Sequence, residues 1–139
     1  MTSLAVVDAG PLYAAADTDD RDHRPSRAVL ERSDLHLIVP ALVVAEATYF
    51  VGRQLGAAAE SQFLRGIGGL DVEGTTREDF TRMAELVDRY ADFPLGGTDA
   101  SVIPRVAGAA PPCATLREAM TIRLTSLALL LLLLPPRGE

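Results

Sequence analysis

The run Leu4-Ala5-Val6-Val7 is apolar at odd and even positions alike. A strand with one face in water alternates polar and apolar residues, so a continuous apolar run predicts a strand covered on both faces. Few folds supply such cover, and the usual one is a parallel sheet between two layers of helices. The segments after it agree. Gly10-Pro11 is read as a turn, Leu12 to Ala16 as a helix, and Ser26 to Arg32 as a second helix after an acidic loop of Asp17, Asp19, Asp20 and Asp22. Leu35 to Val39 is a second short strand, and Pro40 suits the first turn of the helix beyond it, ending near Leu55 with Gly56 as its stop.

Ala57 to Arg65 then reads as a helix and Leu70 to Val72 as a third strand. Thr75 and Glu78 have the spacing of a capping box for a helix reaching about Ala91. The loop Phe93 to Gly97 precedes a helix opened by Asp99. Beyond Ile103, Pro104, Gly108 and Pro111-Pro112 are expected to break that helix. Cys113 to Leu116 and Leu127 to Leu133 stand as fourth and fifth strands. Strands alternating with helices argue for an α/β three-layer sandwich with a central parallel sheet and helices on both faces.

Composition narrows the functional classes. The 139 residues suit one domain, and 48 % apolar against 23 % charged residues describes an ordinary folded protein. Every basic side chain apart from two histidines is arginine; there is no lysine. That excludes a P-loop ATPase and a Schiff-base enzyme, both of which use a lysine. With one cysteine, Cys113, and two histidines, an internal disulfide is impossible and a structural zinc site is disfavoured. A reducing, cytoplasmic setting is expected. Asp8 cuts short the N-terminal apolar stretch, which argues against a signal peptide. The leucine run Leu127 to Leu134 has eight residues, against about 20 needed to span a bilayer. No membrane association is expected, and a net charge of -6 does not by itself advertise nucleic-acid binding.

Three carboxylates stand inside core-like segments. Asp8 ends the first strand, Glu46 interrupts Ala41 to Ala47 with Leu42, Val43, Tyr49 and Phe50 reading as its core neighbours, and Asp99 opens the helix through Ile103. A lone buried carboxylate costs several kcal/mol unless something pairs with it. Ligand sites of parallel sheets lie beyond the carboxyl ends of the strands, where all three acids can meet. A shared divalent cation is the simplest partner, and oxygen ligands without histidine or thiolate favour Mg²⁺, or Mn²⁺, over zinc. Taken singly, Asp8 and Asp99 are open to a simpler reading as turn or helix caps.

Three segments carry a family resemblance. Val6-Val7-Asp8-Ala9-Gly10-Pro11-Leu12, Val43-Val44-Ala45-Glu46-Ala47-Thr48-Tyr49 and Leu95-Gly96-Gly97-Thr98-Asp99-Ala100-Ser101-Val102-Ile103 resemble three motifs of the PIN domain, most closely in VapC-type toxins. The resemblance runs from about residue 4 to 103 and implies a single PIN-like domain over 1–139, with 104–139 atypical. It implies a Mg²⁺-dependent endoribonuclease, inhibited by a VapB-like antitoxin and commonly a homodimer. Asp8, Glu46 and Asp99 would be its metal-binding, catalytic acids, with Thr98 accessory and metal-activated water attacking an RNA phosphodiester. Arg53, two turns beyond Glu46, is a candidate RNA phosphate contact, against its reading as a solvated surface residue.

The C-terminal third departs from the family pattern. A fourth acid is expected after a strand reading like Ala-Thr-Leu-Asp, yet Ala114-Thr115-Leu116 is followed by Arg117 and then Glu118. Either Glu118 replaces the fourth acid from a shifted position, or the segment is degenerate and the domain only binds antitoxin or RNA. An arginine pointing into the pocket would weaken cation binding by like-charge repulsion. A small Mg²⁺ phosphatase is disfavoured, because Asp8-Ala9-Gly10 lacks the second aspartate two residues on.

Overall fold

A computed structural model describes residues 3–92 and 95–107. Three parallel strands, β1 (Ser3–Val6), β2 (Leu35–Pro40) and β3 (Asp71–Glu73), lie in the order β1-β2-β3. Ser3 pairs with Leu35 and Val6 with Ile38, while Ile38 pairs on its other side with Asp71. Parallel neighbours require crossovers. The first carries α1 (Ala9–Ala16) and α2 (His23–Leu30); the second carries α3 (Ala41–Leu55) and α4 (Ala57–Ile67). After β3 come α5 (Arg77–Arg89) and α6 (Gly97–Ala107).

The both-faced apolar run behaves as expected: Ala5, Val6 and Val7 are at most 1 % exposed. These residues join Leu12, Leu37, Val39, Val43, Ala47 and Val102 in the main core, so β1, β2, α1, α3 and α6 share one apolar centre. A second cluster holds Met83, Leu95 and Ala100, with Leu42, Leu86 and Tyr90 packed against it. Burying a valine of this kind contributes about 1.5–3 kcal/mol. The parallel α/β architecture is therefore the one expected.

Several boundaries differ from the sequence reading. Gly10-Pro11 is not a turn: α1 begins at Ala9, because proline lacks only an N–H that the first helical turn leaves unpaired anyway. Helix α2 starts at His23, three residues before Ser26, and His23 Nδ1 lies 2.9 Å from the Ala14 carbonyl. Pro40 is the last residue of β2 and the N-cap of α3. The capping box of α5 is Thr76 with Asp79, not Thr75 with Glu78: the Asp79 N–H donates to Thr76 Oγ1 and the Thr76 N–H to Asp79 Oδ2. Asp79 at the third helical position reaches back as a glutamate would.

Helix α6 opens at Gly97 rather than Asp99, and it runs through Pro104 to Ala107 instead of breaking there. A mid-helix proline costs about 3 kcal/mol. Ala100 (0 % exposed) and Val102 (5 %) lie in the two cores, and that packing overrides the local preference. The proposed strands at Cys113 to Leu116 and Leu127 to Leu133, and Glu118, lie outside the described residues. Among the described residues no helix is long and apolar enough to cross a membrane.

Candidate functional site

Asp8 lies two residues beyond the end of β1 and occupies the N-cap position of α1, in extended conformation, with only 6 % of its surface exposed. Aspartate at that position ordinarily accepts a hydrogen bond from the first helical turn. Here the side chain makes no capping hydrogen bond. Its Oδ1 is shielded from solvent, at the carboxyl end of a strand where α/β sheets place their ligands. Asp8 thus stands at the cap position of α1 without using its side chain as the cap.

Glu46 is half-buried in the second turn of α3, between Val43 and Ala47, both fully buried. Its Oε2 is out of solvent and accepts no hydrogen bond among the described residues. Leaving a buried acceptor unsatisfied costs about 1–3 kcal/mol, so it is tolerated for a reason. Asp99 stands in the first turn of α6, where its Oδ2 accepts the Gly96 N–H at 3.2 Å. Asp99 is not the capping residue itself but, from the third helical position, accepts the N–H of the residue before the helix, and one oxygen accepting one N–H does not exhaust a carboxylate. The hydroxyl of Ser101 donates to the Thr98 carbonyl at 2.6 Å, tightening the same turn.

Packing links the apolar neighbours of these three acids. Val7 and Ala9, on either side of Asp8, pack in the main core with Val43 and Ala47, which flank Glu46. Leu42, one turn before Glu46, packs with Ala100, the neighbour of Asp99. Each acid thus has a sequence neighbour anchored in one or the other core. Among the described residues no three His, Cys, Asp or Glu side chains form a ready-made metal cluster. The donors are nonetheless of the hard-oxygen kind that Mg²⁺ takes, and a shielded Glu46 oxygen without a hydrogen-bond donor fits a cation better than it fits apolar packing.

Elsewhere the structure assigns plainer roles. In the acidic loop, Asp17 Oδ1 accepts the Asp19 N–H and Asp20 Oδ1 accepts the Asp22 N–H, so these aspartates hold turns rather than only facing solvent. Burial, and then the hydrogen bond to Asp17, pushes the Tyr13 phenol above its usual range. A cavity of about 420 Å³ lies between α1, α2 and α4, lined by Leu12, Leu30, Phe63 and Ile67 with Arg27 and Glu31 at its rim. None of the three acids lines it.

Tyr49 and Phe50 are not core residues. They are 58 % and 41 % exposed, with their rings edge to face at 5.4 Å. Helical periodicity explains the error: Val43, Ala47 and Val51 take the buried face, leaving Glu46 at its margin and Tyr49 beyond it. Leu64, expected in a core or an interface, is 47 % exposed, while Phe63 packs half-buried on the main core. Arg53 is exposed, with its guanidinium 6.0 Å from the centre of the Tyr49 ring and Nη1 donating to the Tyr49 hydroxyl at 3.2 Å.

The model of the PIN domain matches residues 5–103, more than half the chain and the stretch that holds all three acids. The chain belongs to the PIN domain family. It is similar to Ribonuclease VapC26 of Mycobacterium tuberculosis (strain ATCC 25618 / H37Rv), with 29 % identity over 98 residues that cover 69 % of this chain and 73 % of the relative. In fold it resembles the crystal structure of VapC20 from Mycobacterium tuberculosis, described as a Sarcin-Ricin loop cleaving toxin. That match has a TM-score of 0.66 at 18 % identity and covers 76 % of this chain and 84 % of VapC20. The PIN-domain, VapC-type resemblance read from the sequence is thus met.

Proposed function

We propose that this PIN-domain chain is a Mg²⁺-dependent endoribonuclease and the toxin of a VapB–VapC-type pair. The observation that carries the reading is Asp8: a buried carboxylate at the end of the first strand, where parallel sheets place their ligands, inside the stretch that matches the family. Glu46 supports it with a shielded oxygen that no described donor satisfies. The similarity to a protein named a ribonuclease supports the substrate class. Mn²⁺ would serve in place of Mg²⁺, as both take oxygen ligands.

Asp8, Glu46 and Asp99 would hold the cation, with Glu118 as a further donor and Thr98 accessory to it. Bound there, the ion would supply an activated water and neutralise charge building on the phosphoryl oxygens. The chain's own part is to hold three acids on rigid elements. Asp8 is fixed by β1 and α1, Glu46 by the buried face of α3, and Asp99 by its bond to Gly96. The start of α1 directs backbone N–H groups toward the same end of the sheet, a placement that favours a phosphate. A VapB-like antitoxin, a homodimer and a cytoplasmic location belong to this proposal.

Incubation of an RNA pool with the purified chain, in Mg²⁺ and in chelator, tests it. Cleavage in Mg²⁺ only, absent from Asp8→Asn, is the expected result. A folded chain that leaves every RNA intact in Mg²⁺ and Mn²⁺ would refute the nuclease and leave a PIN domain that acts by binding.

A further inference from the structure

Tyr49, Phe50 and Arg53 each fall within about 60° of Glu46 around α3, and the four span an arc of about 100°, given 3.6 residues per turn. They run from Glu46 toward the end of the helix, and with 1.5 Å of rise per residue Tyr49 stands about 4.5 Å and Arg53 about 10 Å beyond it. Two exposed aromatic rings and a guanidinium therefore follow Glu46 along α3. We propose that Tyr49, Phe50 and Arg53 form a stacking ledge for single-stranded RNA, seating a base next to the cleaved phosphate on the aromatic pair and the adjoining phosphate on Arg53. The inference rests on the nuclease reading and adds to it the residues that grip the substrate.

Three observations favour a nucleic acid as the occupant. The rings are held edge to face, 71° apart, so at least one keeps its π-face open to a flat partner. The guanidinium is fixed beside Tyr49 by a hydrogen bond and by its position over the ring, an arrangement of stacking surface plus cation that suits a base and its phosphate. Its charge is also unspent: like Arg24, Arg65, Arg77, Arg82 and Arg89 it has no carboxylate partner among the described residues, and of these it is the one that lies on α3 two turns beyond Glu46. On a chain of net charge -6, an unneutralised cation beside an acid site is where a polyanion would be gripped.

Binding of a fluorescein-labelled single-stranded RNA oligomer, followed by anisotropy in chelator, separates binding from cleavage. Removing a stacked ring costs about 1–3 kcal/mol per base, so Tyr49→Ala is expected to weaken binding about 5- to 150-fold. Tyr49→Phe keeps the ring and is expected to stay within about threefold. Arg53→Ala should lower the slope of log affinity against log salt by about 0.7, the signature of one lost phosphate contact on a single strand, while Tyr49→Ala leaves the slope unchanged. Exposed positions keep these variants folded, which circular dichroism checks. Unchanged affinity in Tyr49→Ala and Arg53→Ala, with cleavage still dependent on Asp8, would overturn the ledge and spare the nuclease. Unchanged affinity together with a dimer that dissociates in Tyr49→Ala would overturn it too, making this face a contact between copies. RNA binding lost in Tyr49→Ala, from a wild-type chain that never cleaves, would keep the ledge and remove the nuclease.

Discussion

Neutralising Glu46 separates a structural carboxylate from one kept for a cation. Glu46→Gln preserves the shape of the side chain and removes the charge that would hold a metal. In wild-type protein one oxygen is buried without a donor, a cost of about 1–3 kcal/mol. The side chain is only half-buried and glutamine keeps a polar atom there, so relief of about 1 kcal/mol is the reasonable figure. For 139 residues the unfolding entropy near 60 °C is about 0.3 kcal/mol/K, which converts this relief to a rise of about 3 °C in Tm. Mg²⁺ should reverse the order. At a hundred times its dissociation constant it adds about 2.7 kcal/mol, or about 9 °C, to the wild type and much less to the variant. Differential scanning calorimetry in chelator and over a Mg²⁺ series reads both effects. A variant that melts lower in chelator, or that gains as much from Mg²⁺ as the wild type, would refute the assignment of Glu46.

Other consequences are local. Val43→Ala removes two methyl groups from a fully buried position shared by β1, β2 and α3, and should cost about 2 kcal/mol in urea titration with an unchanged m-value. Thr76→Ala should cost about 1 kcal/mol by losing the α5 cap, whereas Thr75→Ala should be near neutral, which checks the cap's register. Hydrogen bonding from Arg32 and then its charge hold the Asp34 carboxyl below its usual range, so the stability it contributes is present above the unfolded-state pKa and is lost as pH falls through the folded one. In Arg32→Ala the Asp34 carboxyl, monitored by NMR titration, should move up toward the ordinary carboxylate range.

The sheet was legible because its signal is contiguous. Leu4 to Val7 has no polar face, so a doubly covered strand was the only economical reading, and Ala5 to Val7 are buried accordingly. Helix limits were less legible because they are set by single contacts. Pro11 looks like a stop and serves as a start, and Asp79 substitutes for the longer acid that the capping pattern favours. Pro104 opposes a helix locally, but buried Ala100 and Val102 carry α6 past it, a tertiary effect with no local mark. Of the acids, Asp8 was readable from its place at the strand end. Which side of α3 faces the core was not, since Tyr49 and Phe50 have the composition of core residues, yet Phe50 borders the buried arc and Tyr49 lies well beyond it.

Acids from β1, α3 and α6 acting as one unit on RNA should betray that unity in their kinetics. Single-turnover cleavage in Mg²⁺ by the wild type, Asp8→Asn, Glu46→Gln, Asp99→Asn and the double variant Asp8→Asn with Asp99→Asn tests it directly. Even outer partners of metal ligands cost about 10–100-fold, so each single change should lower the rate by at least about 100-fold. Groups acting as a unit are not additive, so the double variant should lose scarcely more than either single one. Wild-type cleavage rates in Asp99→Asn, or losses that multiply in the double variant, would contradict a shared site.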